Sequence, residues 1–117
     1  MTLRHERDNV YCFDIQGWLR RDEFERCQSV LADEIRRIGT VRLLFVLRDF
    51  EGWKADDDWR DLSFYVKHGD KIERIAIVGP EKWRGETLMF AGADLRTAPV
   101  EFFTEDNPAG ARAWLSA

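Results

Sequence analysis

The sequence predicts an α/β protein with a mixed, mostly parallel sheet of about five strands and an N-terminal hairpin. Short apolar segments typical of strands alternate along the chain with segments whose apolar residues repeat at helical spacing. Residues 41–47 are apolar on both faces, which favours an interior position in a parallel sheet. A two-residue connection, Asp8-Asn9, joins the first two strands too tightly for a parallel crossover and therefore predicts an antiparallel start.

The first half of the chain predicts three strands and one helix. Residues 3–7 and 10–16 flank Asp8-Asn9, a plausible hairpin turn because Asp and Asn tolerate positive φ. Asp22, with Glu25 three residues later, has the spacing of a helix N-cap. The helix is expected to end at Gly39, a residue suited to a left-handed C-terminal cap, before the central strand at 41–47.

The second half continues the alternation. A helix is predicted from about 56 to 68, a strand at 74–78, a helix at 81–91 and a strand at 100–103. Asn107 followed by Pro108 is the signature of an N-cap with proline in the first turn, and it predicts a final helix.

Right-handed crossovers between sequence-adjacent strands would place the crossover helices on one face of the sheet. The residues expected to meet these helices are Tyr11, Phe13, Val41, Leu43, Phe45, Leu47, Ile75, Ile77, Val100 and Phe102. The opposite face would carry Cys12, Asp14, Leu44, Val46, Ala76, Val78 and Phe103, edged by Arg42, Arg48 and Arg74. A half-apolar face of this kind is expected to be covered, so the pattern predicts a homodimer or another bound partner there.

Composition favours one globular domain over residues 1–117. Apolar residues make up 44% of the chain and charged residues 34%, and the net charge of −4 with scattered Lys and Arg argues against nucleic-acid binding. No apolar run has the length of a membrane span, and the first residues lack the pattern of a signal peptide, so a cytoplasmic location is expected. Cys12 and Cys27 are interpreted as small apolar core residues, and no cofactor or metal motif is found.

Three segments carry a resemblance to a known family: VRLLFVLRDFEGW, DDWRDLSFYVKHGDKIERIAIVGPEKW and VEFFTEDNPAGARAWL. They resemble the SpoIIAA-like proteins, small bacterial members of the STAS and SEC14-like group, and the resemblance runs from residue 10 to 115. It implies a right-handed β-α superhelix. STAS-type antagonists carry a phosphorylatable serine after the central strand, whereas here no Ser or Thr follows Asp49 before Ser63. Asp56, Asp57 and Asp58 either imitate a phosphorylated state or, as the favoured interpretation, are ordinary acids of a helix start.

Ligands of α/β sheets gather outside the carboxyl ends of parallel strands, and this rule selects the candidate binding site. The candidate ligand- or partner-binding residues are Arg48, Asp49, Gly52, Trp53, Asp56, Asp57, Gly79 and Trp83. The two tryptophans could wall an apolar pocket, with Arg48 facing a carboxylate or phosphate. The alternative, slightly favoured from the sequence, is that both indoles close the end of the core.

A non-catalytic STAS-like module that binds a protein partner or a small ligand is therefore the leading functional hypothesis. One alternative is a small hydrolase-like enzyme that uses Asp49, His68 with Asp70, or the acidic triplet at 56–58. Another is a carrier of lipids or other apolar ligands related to SEC14-like domains. A carrier needs an internal cavity, and so short a chain with so many aromatic residues is expected to leave little room for one.

Overall fold

A five-stranded mixed sheet, with its strands in the spatial order β1-β2-β3-β4-β5, organises the molecule. The computed structural model describes residues 1–54 and 68–117, and the predicted helix at 56–68 lies almost wholly outside them. The β1–β2 pair is antiparallel and the other pairs are parallel, which confirms the predicted sheet. The elements are β1 (Thr2–Arg7), β2 (Val10–Leu19), α1 (Arg21–Ile38), β3 (Val41–Trp53), β4 (Ile72–Gly79), α2 (Arg84–Phe90), β5 (Val100–Thr104) and α3 (Pro108–Ser116), with 3-10 turns at Gly69–Lys71 and Glu81–Trp83.

Several element boundaries follow the local chemistry that predicted them. Asp8 adopts a positive φ of 46° in the hairpin turn, and Gly39 adopts φ 99° at the end of α1. The Asn107 side chain accepts a hydrogen bond from the Gly110 backbone N–H at 3.1 Å, which makes it the N-cap of α3. Asp22 was predicted as the N-cap of α1, but Phe24 N–H donates to the Arg20 carbonyl, so the N-cap is Arg20, two residues earlier, and α1 begins at Arg21.

The central strand extends further than the sequence predicts. Gln16 of β2 pairs with Arg48, but Trp18 pairs with Gly52, so residues 49–51 of β3 stand opposite Gly17. Asp49 (φ 47°) and Gly17 (φ 68°) accommodate this bulge with left-handed backbone. The break after Leu47 is therefore a bulge within one strand, and β3 continues to Trp53.

The two sheet faces carry the residue sets predicted for them. The face toward α1 and α2 forms the larger core cluster, which includes Phe13, Leu43 and Ile75. The opposite face, built from Cys12, Leu44 and similar residues, forms a second cluster with α3. This face is covered, as expected, but by the chain's own C-terminal helix, so its apolar character does not by itself call for a homodimer or another partner.

Arginines from three strands attach α3 to the sheet at the end of the helix. Arg74 donates to the Trp114 carbonyl at 2.6 Å, and Arg42 donates to the carbonyls of Leu115 and Ala117. Arg7 donates to the Arg112 carbonyl at 3.3 Å. The last carbonyls of a helix have no partner within it, and these guanidinium groups satisfy them while matching the negative end of its dipole.

In the part of the chain that the structure describes, no helix is both long and apolar enough to cross a membrane.

Candidate functional site

A cavity lies between α1, α2 and the face of the sheet that they cover. Its volume is about 340 Å³, within the range of roughly 300–1,000 Å³ usual for small-molecule sites. Its lining is predominantly aliphatic and aromatic. Examples are Phe13, Phe45 and Ile75 from the sheet, Leu31 from α1, and Phe90 from α2.

Four aromatic side chains, which we call the aromatic wall, meet beside the cavity: Phe50, Trp53, Trp83 and Phe90. Phe50 is 5% exposed, and its ring centroid lies 5.3 Å from that of Trp53 and 4.9 Å from that of Trp83, both in edge-on geometry. The two indoles are 6.0 Å apart, and Trp53 lies 5.3 Å from Phe90. Phe50, Trp53 and Phe90 line the cavity, and Trp83 supports Phe50 and Trp53.

The aromatic wall contains two buried hydrogen-bond donors. The indole Nε1 atoms of Trp53 and Trp83 are both inaccessible to solvent and have no hydrogen-bond partner in the described ranges, 1–54 and 68–117. An unsatisfied buried donor costs roughly 1–3 kcal/mol. Trp53 lines the cavity with other atoms of its ring, whereas its Nε1 has no accessible surface and is enclosed by the packing of the wall.

Polar groups of the lining come from α1, α2 and the turn after α2. The Arg21 Nε donates to Glu25 Oε1 at 2.7 Å, and Gln28 lies one turn further along the helix. The Thr87 hydroxyl donates to the Trp83 carbonyl at 2.7 Å, and Arg96 Nε donates to the Ala91 carbonyl at 2.6 Å.

Two apolar side chains of the lining are largely exposed: Met89, at 76%, and Leu95, at 74%. They connect the buried lining to the surface near the end of α2. The arrangement suits an apolar molecule that is enclosed by the core and contacts a small number of polar groups.

The structure brings three of the predicted site residues together. Gly52 lies against Trp83: a Cβ on Gly52 would be 3.2 Å from Trp83 Cη2. Trp53 follows it in the cavity wall. Gly79 is buried against Leu47, whose Cδ1 would lie 2.8 Å from an added Cβ, so its described contact is one of packing.

Arg48 and Asp49 do not join this group. Side chains alternate between the faces of a strand, and Arg48 lies on the α3 side, where its Nε is 2.7 Å from Asp14 Oδ1. Asp49 is exposed in the bulge. Arg48 therefore forms an ion pair on the face of the sheet opposite the cavity, and it does not lie beside the tryptophans. Asp56 and Asp57 lie outside the described residues.

Asp49 and His68, two of the alternatives suggested for catalysis, are far apart, and the acidic triplet at 56–58 lies outside the described residues. His68 precedes the turn that starts β4, and Ile72 of β4 pairs with Val41 at the beginning of β3. Asp49 is eight residues along β3 from Val41, a distance of roughly 25 Å at the usual rise of a strand. Within the described ranges, no three His, Cys, Asp or Glu side chains are arranged to hold a metal ion.

Both cysteines lie in apolar surroundings, as predicted, but only Cys12 is fully buried and Cys27 is partly exposed. Cys12 is fully buried beneath α3, and this burial raises the pKa of its thiol to about 11. Cys27 packs at the edge of the core on the other side of the sheet. Both thiols are free.

The cavity was not predicted from the sequence, which was expected to leave little room for one. The helix predicted at 81–91 begins as a 3-10 turn at Glu81–Trp83 and continues as α2 over Arg84–Phe90. The one sequence signal for this site was the pair Trp53 and Trp83, which was predicted to lie together at the ends of neighbouring strands.

A family model described as SpoIIAA-like matches residues 10–116. Among solved structures, an uncharacterized DUF3478-family protein with a SpoIIAA-like fold from Shewanella loihica PV-4 superposes with a TM-score of 0.74. It is 21% identical, and the match covers 97% of this chain and 90% of that chain. No curated protein matches. The fold and the site define an α/β domain with an apolar cavity on the helix-covered face of its sheet. The chain belongs to the SpoIIAA-like family.

Proposed function

We propose that this protein is a non-catalytic STAS-like binding module whose ligand is a small, largely apolar molecule held in the cavity. The observation that carries the proposal is the cavity of about 340 Å³ behind the aromatic wall. A space of this size inside a core would ordinarily be filled by side chains, because protein interiors pack to the density of organic crystals. A cavity that is retained between α1, α2 and the sheet is therefore best explained by an occupant.

The chemistry of the lining supports binding more than catalysis. Its described carboxylate, Glu25, is paired with Arg21, and its hydroxyl, Thr87, donates to a backbone carbonyl. A nucleophile needs a neighbouring base to activate it, and neither side chain has that setting among the described lining residues. These groups are suited to orienting a ligand.

The size of the cavity supports a compact ligand. A volume of about 340 Å³ lies at the lower end of the range for ligand sites, too small for a lipid with two acyl chains. A carrier or sensor of a smaller apolar molecule is compatible with both the volume and the exposed side chains of Met89 and Leu95 at its edge.

Filling the cavity tests the proposal. Ala91 lines the cavity at the end of α2, whereas Ala93, two residues later, is absent from the described lining. We expect Ala91→Trp to occupy the binding volume and to abolish binding of 2-naphthoate measured by calorimetry. Ala93→Trp, the matched control, is expected to bind like the wild type.

The unfolding temperature provides the second readout. Ligand at 100 times Kd stabilises the folded state by about 2.7 kcal/mol, which raises Tm by about 10 °C for a chain of this length. Wild type and Ala93→Trp should show this rise, and Ala91→Trp should not. Equal binding by the Ala91→Trp variant, with its fold intact, would mean that the cavity is not the site.

A further inference from the structure

The polar side chains of the cavity lining differ in how far their hydrogen-bonding groups are already used. Arg21 donates to Glu25. Thr87 and Arg96 both donate to backbone carbonyls. Gln28 is the remaining polar side chain of the described lining, and its amide has no hydrogen-bond partner among the described residues. Unlike the indole N–H groups of the aromatic wall, this amide keeps accessible surface, so a ligand can reach it.

Gln28 lies on the side of α1 that borders the cavity. The α1 residues of the lining repeat at intervals of three and four, so they share one side of the helix; they are Arg21, Phe24, Glu25, Gln28 and Leu31. Leu31 is fully buried, Glu25 is exposed, and Gln28, between them along the helix, is partly buried. The amide therefore stands where the apolar interior of the cavity meets its polar edge.

We infer that the ligand carries a group that both donates and accepts hydrogen bonds, such as a hydroxyl, and that the side-chain amide of Gln28 binds this group. A glutamine amide offers two N–H donors and a carbonyl acceptor, so it matches such a group in both directions. The apolar body of the ligand lies against Leu31, Phe45 and Ile75. This inference rests on the proposed function and specifies the chemical class of its ligand, with Gln28 as a specificity-determining residue.

Two probes that share one ring system test the inference: 2-naphthol, and 2-methylnaphthalene, in which a methyl group replaces the hydroxyl. Their affinities are measured by calorimetry for wild type and Gln28→Met, which keeps a long, helix-favouring side chain but removes the amide. We expect Gln28→Met to bind 2-naphthol about tenfold more weakly, which corresponds to 1.4 kcal/mol, because the hydroxyl loses its partner. Binding of 2-methylnaphthalene should stay within about twofold of wild type.

Gln16→Met is the matched control, because Gln16, the other glutamine of the chain, is exposed on β2 and is absent from the described lining. Both affinities should stay within about twofold of wild type in this variant. An unchanged affinity for 2-naphthol in Gln28→Met, or an equal loss for both probes, would overturn the inference while leaving the cavity as a binding site. Wild-type protein that binds neither probe would refute the proposed function and the inference together.

A measurement on the wild-type protein removes any dependence on how well the variants fold. The side-chain amide ¹H–¹⁵N resonances of Gln28, assigned by their absence from the spectrum of Gln28→Met, should move further downfield with 2-naphthol than with 2-methylnaphthalene. The shared ring system makes the ring-current effects of the two probes alike, so the difference reports the hydrogen bond. Equal shifts with both probes would contradict the inference.

Discussion

Gly52 shows how a single residue shapes the aromatic wall. Its φ of 111° lies in the region that favours glycine. A Cβ at this position would meet Trp83 Cη2 at 3.2 Å and Trp18 Cζ3 at 3.7 Å. The backbone of β3 can therefore approach the indole of Trp83 because no side chain intervenes.

Gly52→Ala is expected to lower the free energy of unfolding by roughly 1–3 kcal/mol, since it combines backbone strain with a displaced tryptophan. Gly85→Ala is the control, because Gly85 lies in α2 with nothing within 4 Å of an added Cβ. That change should raise stability by up to about 1 kcal/mol. Urea denaturation of both variants measures the difference, and a Gly52→Ala protein as stable as wild type would contradict the account of the wall.

At the scale of residues, the sequence predicted that Gly52, Trp53 and Trp83 lie close together, but it did not predict the bulge beside them. The prediction worked because the ends of neighbouring parallel strands lie together. The bulge at Asp49 was not predicted, since it depends on pairing with β2 around Gly17. This bulge allows Phe50 and Trp53, three positions apart, to line the same cavity.

At the scale of elements, α3 shows how local and distant contacts differ in predictability. Its start was predicted from Asn107 and Pro108, a purely local signal. Its position over the second sheet face was not predicted, because it depends on contacts of its carbonyls with Arg42 and Arg74, which are distant in the sequence. Sequence periodicity marked the face as apolar without indicating which segment would cover it.

An ion pair between β1 and α3 makes the attachment of this helix pH-dependent. Arg112 donates to Glu6 from Nη2 at 3.0 Å and from Nε at 3.2 Å. Burial by itself raises the pKa of Glu6, but the hydrogen bond and charge of Arg112, with Arg4, outweigh it and bring the pKa below its ordinary value of 4.5. A lowered native pKa means that this stabilisation is complete above pH 4.5 and is lost as the pH falls through the native value.

Glu6→Gln should therefore destabilise the protein most above pH 4.5 and progressively less below it, so that the variant loses less stability on acidification than wild type. Denaturation curves across this pH range measure the effect, and hydrogen exchange of the α3 amides locates it. Glu105→Gln changes an exposed carboxylate just before α3 and serves as the control. Parallel pH dependences for wild type and Glu6→Gln would show that the ion pair contributes nothing.

At the scale of the whole molecule, the sequence predicted the order and direction of the strands. Right-handed crossovers between adjacent strands leave few alternatives for a chain that alternates between strand and helix. The cavity was not predictable in the same way. Periodicity shows which side chains face the core, such as Phe13 and Leu31, but not whether together they fill it.

The account as a whole depends on an occupant for the cavity, and native mass spectrometry of protein purified gently from its own host tests this directly. We predict a bound small molecule on wild type and on Ala93→Trp, with none on Ala91→Trp. Its accurate mass would also identify its composition. Wild-type protein that carries no small molecule, and that gains none when an apolar extract of the same cells is added, would contradict the account.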